Sequence, residues 1–115
     1  NVTDHLTKIT NVLVIGCGGA GLRAAIEAAR SGAKTAIITK SLLGKAHTVM
    51  AEGGCAAALQ NADPRDGWKV HFHDTMKGSK WLANWQMAEY HAKEAPDRVR
   101  ELEQWGAVLI ELQII

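Results

Sequence analysis

Two short strings carry most of the chemistry in this chain. The first, Gly16-Cys17-Gly18-Gly19-Ala20-Gly21, satisfies the spacing G-x-G-x-x-G. Glycines so placed let a strand turn tightly into a helix, let backbone approach a diphosphate, and let helix and strand pack closely. The phosphates would then meet free N–H groups and the positive end of a helix dipole. Cys17, at a crowded x position, reads as a small filler, because no resolving thiol lies near it. The second string is Gly44-Lys45-Ala46-His47-Thr48-Val49-Met50-Ala51-Glu52-Gly53-Gly54, an imidazole in a glycine-rich loop. A neutral imidazole is a good nucleophile near pH 7.

These strings need elements to hold them. Residues 11–15 (NVLVI) form a short, almost unbroken β-branched run, which predicts a parallel-sheet strand buried on both faces. Leu22, Ala25, Ile26 and Ala29 then recur at helical spacing, with Arg23, Glu27 and Arg30 on the opposite side. Gly32 stands where a helix C-cap glycine belongs. Residues 34–39 (KTAIIT) read as a second buried strand. Strand, glycine turn, helix and strand thus fit within about thirty residues, the size of one βαβ unit.

The rest of the chain reads differently. Residues 1–9 are a polar lead-in, and 40–54 are irregular and glycine-rich. Residues 55–59 (CAAAL) predict a short helix or turn packed inside, and 61–67 (NADPRDG) a loop. Helices are expected over 68–77, 82–95 and 96–105, the last with Pro96 in its first turn and Gly106 ending it. Residues 107–110 could begin a strand. The fold class expected is α/β: a Rossmann-type βαβ unit with an appended helical segment.

One feature of an NAD site is missing. Such a site usually places an acid about 20 residues beyond the glycines, on the ribose 2′-hydroxyl, but no acid occurs between Glu27 and Glu52. The second strand ends at Thr39-Lys40-Ser41 instead. Lys40 could face a 2′-phosphate, contact FAD, or lie on the surface, and periodicity does not choose among these.

Other constellations weigh less. His71 and His73 point apart on a helix and have no third ligand near them in sequence, so packed or surface histidines are expected rather than a metal site. Trp68, Trp81, Trp85 and Trp105 read as covering the βαβ unit or a subunit interface. Asp63, Asp66 and Asp97 look like loop or N-cap acids, and no carboxylate pair is spaced for acid–base work.

The 115 residues are 47% hydrophobic and 22% charged, with net charge +1. That suits one modest core and is short for a protein that holds a large cofactor and also a substrate, so a piece of a longer subunit is expected. Acids and bases are interspersed, which argues against nucleic acid as a partner. No apolar run approaches a membrane span and no export signal is visible. Cys17 and Cys55 match no zinc or CxxC spacing, and are most simply reduced thiols in a cytosolic setting.

The segment Gly44–Gly54 resembles the flavin-attachment segment of succinate dehydrogenase and fumarate reductase flavoprotein subunits, which typically reads S-H-T-V-x-A-[QE]-G-G. The glycine turn, Thr39-Lys40, the stretch His71-Phe72-His73-Asp74-Thr75-Met76-Lys77-Gly78, and Glu94-Ala95-Pro96 followed by Glu101-Leu102-Glu103 and Gly106 resemble that family as well. The likeness covers residues 11–109. Ala46 replaces the usual Ser, and Glu52 stands where Gln is commoner. Residues 110–115 (IELQII) depart from the family, and no physical reason for this is evident.

The resemblance implies a partial FAD-binding domain over 1–115, with the substrate-capping domain absent and FAD bonded covalently through His47. It implies that Gly16, Cys17, Gly18, Gly19, Ala20 and Gly21 hold the diphosphate, and that Thr39, Lys40 and Ser41 line the adenosine side. Lys45, Ala46, Thr48, Met50, Ala51, Glu52, Gly53 and Gly54 would lie along the flavin, with the Glu52 carboxylate disfavouring an anionic reduced ring unless protonated or paired. It further implies a dicarboxylate substrate, an iron–sulfur subunit, a membrane anchor and a quinone, and a location at the inner face of the cell membrane reached through those partners. Dicarboxylate-binding residues would lie in the absent domain, so none is assigned here. Three alternatives stay open: a soluble fumarate reductase or L-aspartate oxidase with non-covalent FAD, an NADP module favoured by Lys40, and a truncated non-catalytic nucleotide-binding module.

Overall fold

The backbone at Gly16 takes φ +105°, a conformation that side chains resist, and this turn joins the first strand to the first helix. The structure, a computed structural model, describes residues 8–109, in two units divided between Gly53 and Gly54. Residues 1–7 of the expected lead-in at 1–9, and the divergent 110–115, lie outside the described residues.

In the first unit, β1 (Val12–Ile15) pairs in parallel with β2 (Thr35–Ile38), with Val12 opposite Thr35 and Ile15 opposite Ile38. Asn11 reinforces this register, because its side-chain oxygen accepts from the Lys34 amide at 2.9 Å. Helix α1 (Gly19–Arg30) packs on both strands. It starts inside the glycine string, three residues before the hydrophobic periodicity begins. It ends with the Gly32 amide bonded to the Ala29 carbonyl and the Ala33 amide to the Ala28 carbonyl, both at helix-closing spacing.

The expectation of strands buried on both faces is not met. Leu13, Ile15 and Ile38 are 49%, 82% and 55% exposed. Among the described residues of this unit α1 is the helix that packs on the ribbon, and the remaining strand residues are half-buried. Ala25 is the buried residue of the α1 stripe, and Ala29 is exposed.

The second unit is a helix pair. Helix α2 (Trp68–Gly78) packs against α3 (Trp85–Gln104). The buried side is Met76 with Ala88, Ala92, Ala95 and Val99, small residues at spacings of four, three and four that let the axes approach closely. Asn84 caps α3, its side chain accepting from the Met87 amide at 3.1 Å.

Two helices expected over 82–105 are therefore one, with Pro96 in its interior. A proline there removes a hydrogen bond and crowds the preceding turn, at about 3 kcal/mol. The buried stripe continues on both sides of Pro96, and its packing outweighs that local cost. Asp97 is accordingly no N-cap acid but lies within α3, paired with Arg100 at 3.2 Å.

Residues 55–59 form no helix. They are irregular, with Cys55 exposed and Ala58 buried, because two glycines precede them and no helical stripe organises them. Residues 107–109 are likewise irregular rather than strand, as no neighbouring strand is there to pair with them among the described residues. Trp81 and Trp85 are exposed, whereas Trp68 carries the Lys93 ammonium 4.5 Å above its ring.

Candidate functional site

The site is built where β1, α1 and the end of β2 meet. At Gly21 a side chain is excluded outright: a Cβ there would stand 2.1 Å from the Gly16 carbonyl oxygen. The third glycine thus lets α1 sit against the turn it grows from, as its spacing predicts.

Cys17 is 3% exposed, and its sulfur lies 3.0 Å from the Thr39 hydroxyl. This contact joins the glycine turn to the residue that follows β2. Thr39 also accepts from the Ser41 amide at 3.4 Å, and Ser41 Oγ donates to the Lys45 carbonyl at 3.1 Å. The Lys45 amide in turn donates to the Leu42 carbonyl at 3.0 Å. The irregular loop is therefore a hydrogen-bonded shelf rather than a slack connection.

That shelf leads into His47–Met50, a single 3₁₀ turn where only irregular loop was expected. It is closed by the Val49 amide on the Ala46 carbonyl at 3.2 Å. Its Thr48 hydroxyl accepts from the Gly19 amide at 2.9 Å.

An open cleft of about 560 Å³ lies among these parts. Gly16, Cys17, Gly18, Thr39, Lys40, Ser41, Lys45, Ala46, His47, Val49 and Met50 line it. Ten of those eleven residues were expected from the sequence. Val49 was not, although it lies within the same four-residue turn. Gly19, Ala20 and Gly21 form the first turn of α1, and Thr48 bonds to Gly19. Ala51, Glu52 and Gly53 are exposed and outside the lining, because extended backbone at Ala51 takes the chain out of the turn; Gly54 opens the second unit.

The cleft's chemistry suits an anionic dinucleotide. Its charged lining residues are Lys40 and Lys45, with the His47 imidazole beside them and no carboxylate. Gly18, the N-cap of α1, lines the cleft, and that end of a helix dipole is positive and suits an anion. The volume lies within the usual range for small-molecule sites. The residues present fit FAD.

The histidines of the second unit do not converge. The His71 ring packs edge-on against His91 at 5.6 Å between centroids, and His73 lies 3.2 Å from Asp74. Among the described residues no group of three or more His, Cys, Asp or Glu could hold a metal. Nor is any helix there long and apolar enough to cross a membrane.

Comparison with known proteins gives the chain its family. The model of the FAD binding domain family matches residues 11–112, and the chain belongs to that family. It is 49% identical over 96 residues to the succinate dehydrogenase flavoprotein subunit of Rickettsia felis, covering 84% of this chain and 16% of that protein. It is 43% identical over 98 residues to the fumarate reductase flavoprotein subunit of Escherichia coli, covering 84% of this chain and 16% of that one. A structure of the Mycobacterium smegmatis Sdh1 complex in the apo form superimposes with a TM-score of 0.84 at 62% identity, over 90% of this chain and 18% of that one. The chain thus spans about a sixth of the length of these relatives.

Proposed function

We propose that this chain is the dinucleotide-holding front of a succinate dehydrogenase or fumarate reductase flavoprotein subunit, with a Rossmann-type turn for FAD and His47 as the covalent attachment point. The observation that carries this reading is one cleft shared by the glycine turn, the Thr39-Lys40-Ser41 shelf and His47. The first-turn amides of α1 would hold the diphosphate, Lys40 and Ser41 the adenosine side, and His47 the far end. Held by these residues, FAD would supply the capacity for hydride and single-electron transfer that side chains lack.

The chain's own work is orientation and electrostatics. Lys40 and Lys45 offset the diphosphate charge, and the part-buried Cys17–Thr39 contact keeps turn and shelf in register. The dicarboxylate site, the iron–sulfur partner, and the membrane anchor and quinone beyond it belong to sequence outside this chain. On this reading the protein sits peripherally on the inner face of the cell membrane through those partners, and this chain alone does not oxidise succinate.

Acid precipitation followed by peptide mass tests the reading. One FAD retained on the peptide containing His47 supports it. Flavin found wholly in the supernatant gives a non-covalent enzyme of the same fold, and protein that binds no flavin overturns the assignment.

A further inference from the structure

Helix α1 has no side-chain cap of its own, because its N-cap residue is Gly18. The first amide of such a helix, here that of Gly19, has no partner within the helix. Thr48, 29 residues further on, supplies one: its hydroxyl accepts from the Gly19 amide at 2.9 Å. The approach is close. A Cβ on Gly19 would stand 3.2 Å from Thr48 Cγ2, and one on Gly18 would stand 3.4 Å from Thr48 Oγ1 and 3.8 Å from the Ala46 Cβ. The middle glycines of the string therefore make room for the histidine turn as well as for a ligand.

Resting on the functional reading above, we propose that Thr48 is a positioning residue: its hydroxyl caps α1 in trans and clasps the His47 turn to the glycine turn, holding the imidazole at the cleft. Three consequences follow from that geometry. His47 is adjacent to the clasp and within the same 3₁₀ turn, so its backbone is fixed when Thr48 is bonded. The Gly19 amide is spent on Thr48, so Ala20 and Gly21 are the first-turn donors left for a diphosphate. Binding of the dinucleotide and placement of the nucleophile thus draw on the same helix end through different amides.

Thr48→Val removes the acceptor while keeping the shape, and Thr48→Ser keeps the acceptor. Both are introduced at the native locus, and the cells are pulsed with labelled riboflavin. Acid-stable label on the purified protein reports attachment, and total bound label reports FAD binding. The expected result is an initial attachment rate about fivefold lower in Thr48→Val, the factor that loss of an N-cap bond gives. The rate is read per FAD bound, so that any change in total binding is divided out, and Thr48→Ser restores it. Attachment in Thr48→Val at the parental rate overturns the clasp while leaving the functional reading intact. A parent protein with no acid-stable label sinks the covalent reading instead. Should Thr48→Val not fold, hydrogen exchange in the parent decides: a protected Gly19 amide supports the clasp, and exchange at the rate of an exposed amide overturns it.

Discussion

The sulfur of Cys17 and the hydroxyl of Thr39 stand 3.0 Å apart, joining two points 22 residues distant in sequence. The thiol is buried, whereas Cys55, the other free cysteine, is exposed. Iodoacetamide should therefore label Cys55 at once and Cys17 only after unfolding, as read by peptide mass. Equal labelling of the native protein would contradict the burial described. Cys17→Ala should lower stability by about 1–2 kcal/mol, through a lost contact and a small cavity, with Cys17→Ser closer to the parent in urea unfolding.

The glycine at position 21 admits no substitute. Gly21→Ala brings a methyl group to 2.1 Å from the Gly16 carbonyl, so α1 must move away from the turn. The expected cost is at least about 3 kcal/mol, the upper end of ordinary overpacking, since backbone rather than a side chain must yield. Flavin binding should be lost with it. Retention of parental FAD content after gel filtration would refute this.

Helix α3 offers a pair of changes with opposite signs. Pro96→Ala restores a backbone donor inside a continuous helix and should stabilise it by about 1–3 kcal/mol. Ala92→Leu places a large side chain where the parent residue is 0% exposed, and should cost about 1–3 kcal/mol. Thermal melts that moved both variants in the same direction would be inconsistent with the packing of α2 on α3.

The loop before α2 carries a pH-sensitive contact. Arg65 holds the Asp63 carboxyl below its ordinary value of 3.8, first through the guanidinium bonds and second through the Arg65 amide. The native carboxylate form is favoured, so the contact is fully present above the ordinary value and is lost as pH falls through the lower native one. The pair is solvent-exposed, so the readout is local: an NMR titration of Asp63 should have its midpoint below that of Arg65→Ala. Identical midpoints would remove the assigned cause.

What was legible in the sequence was whatever is written locally. The glycine spacing, the Leu22–Ala25–Ile26 stripe and Gly32 each act within one or two turns, and together they place β1, α1 and β2. Ten lining residues of the cleft were legible because they fall in those strings. Pro96 misled, since a local breaker does not reveal the buried stripe of Ala88, Ala92, Ala95 and Val99 that runs past it. The dry or wet state of Ile15 was illegible for a related reason: burial depends on what covers a strand, which its own residues do not encode. Thr48 capping Gly19 was invisible because 29 residues separate a side chain from the amide it satisfies, and no spacing rule links them. The 3₁₀ turn carrying His47 has the same origin, since its residues have no strong helical pattern and it is anchored from outside.

The uncovered flank of the β-ribbon governs handling of the chain in a test tube. Leu13, Ile15 and Ile38 present a greasy strip, a feature that adheres to its like. Preparations should turn turbid as concentration and warmth increase, and mild detergent should clear them. Replacing Leu13 with lysine, on the same strip and three residues ahead of Gly16, should keep the solution transparent.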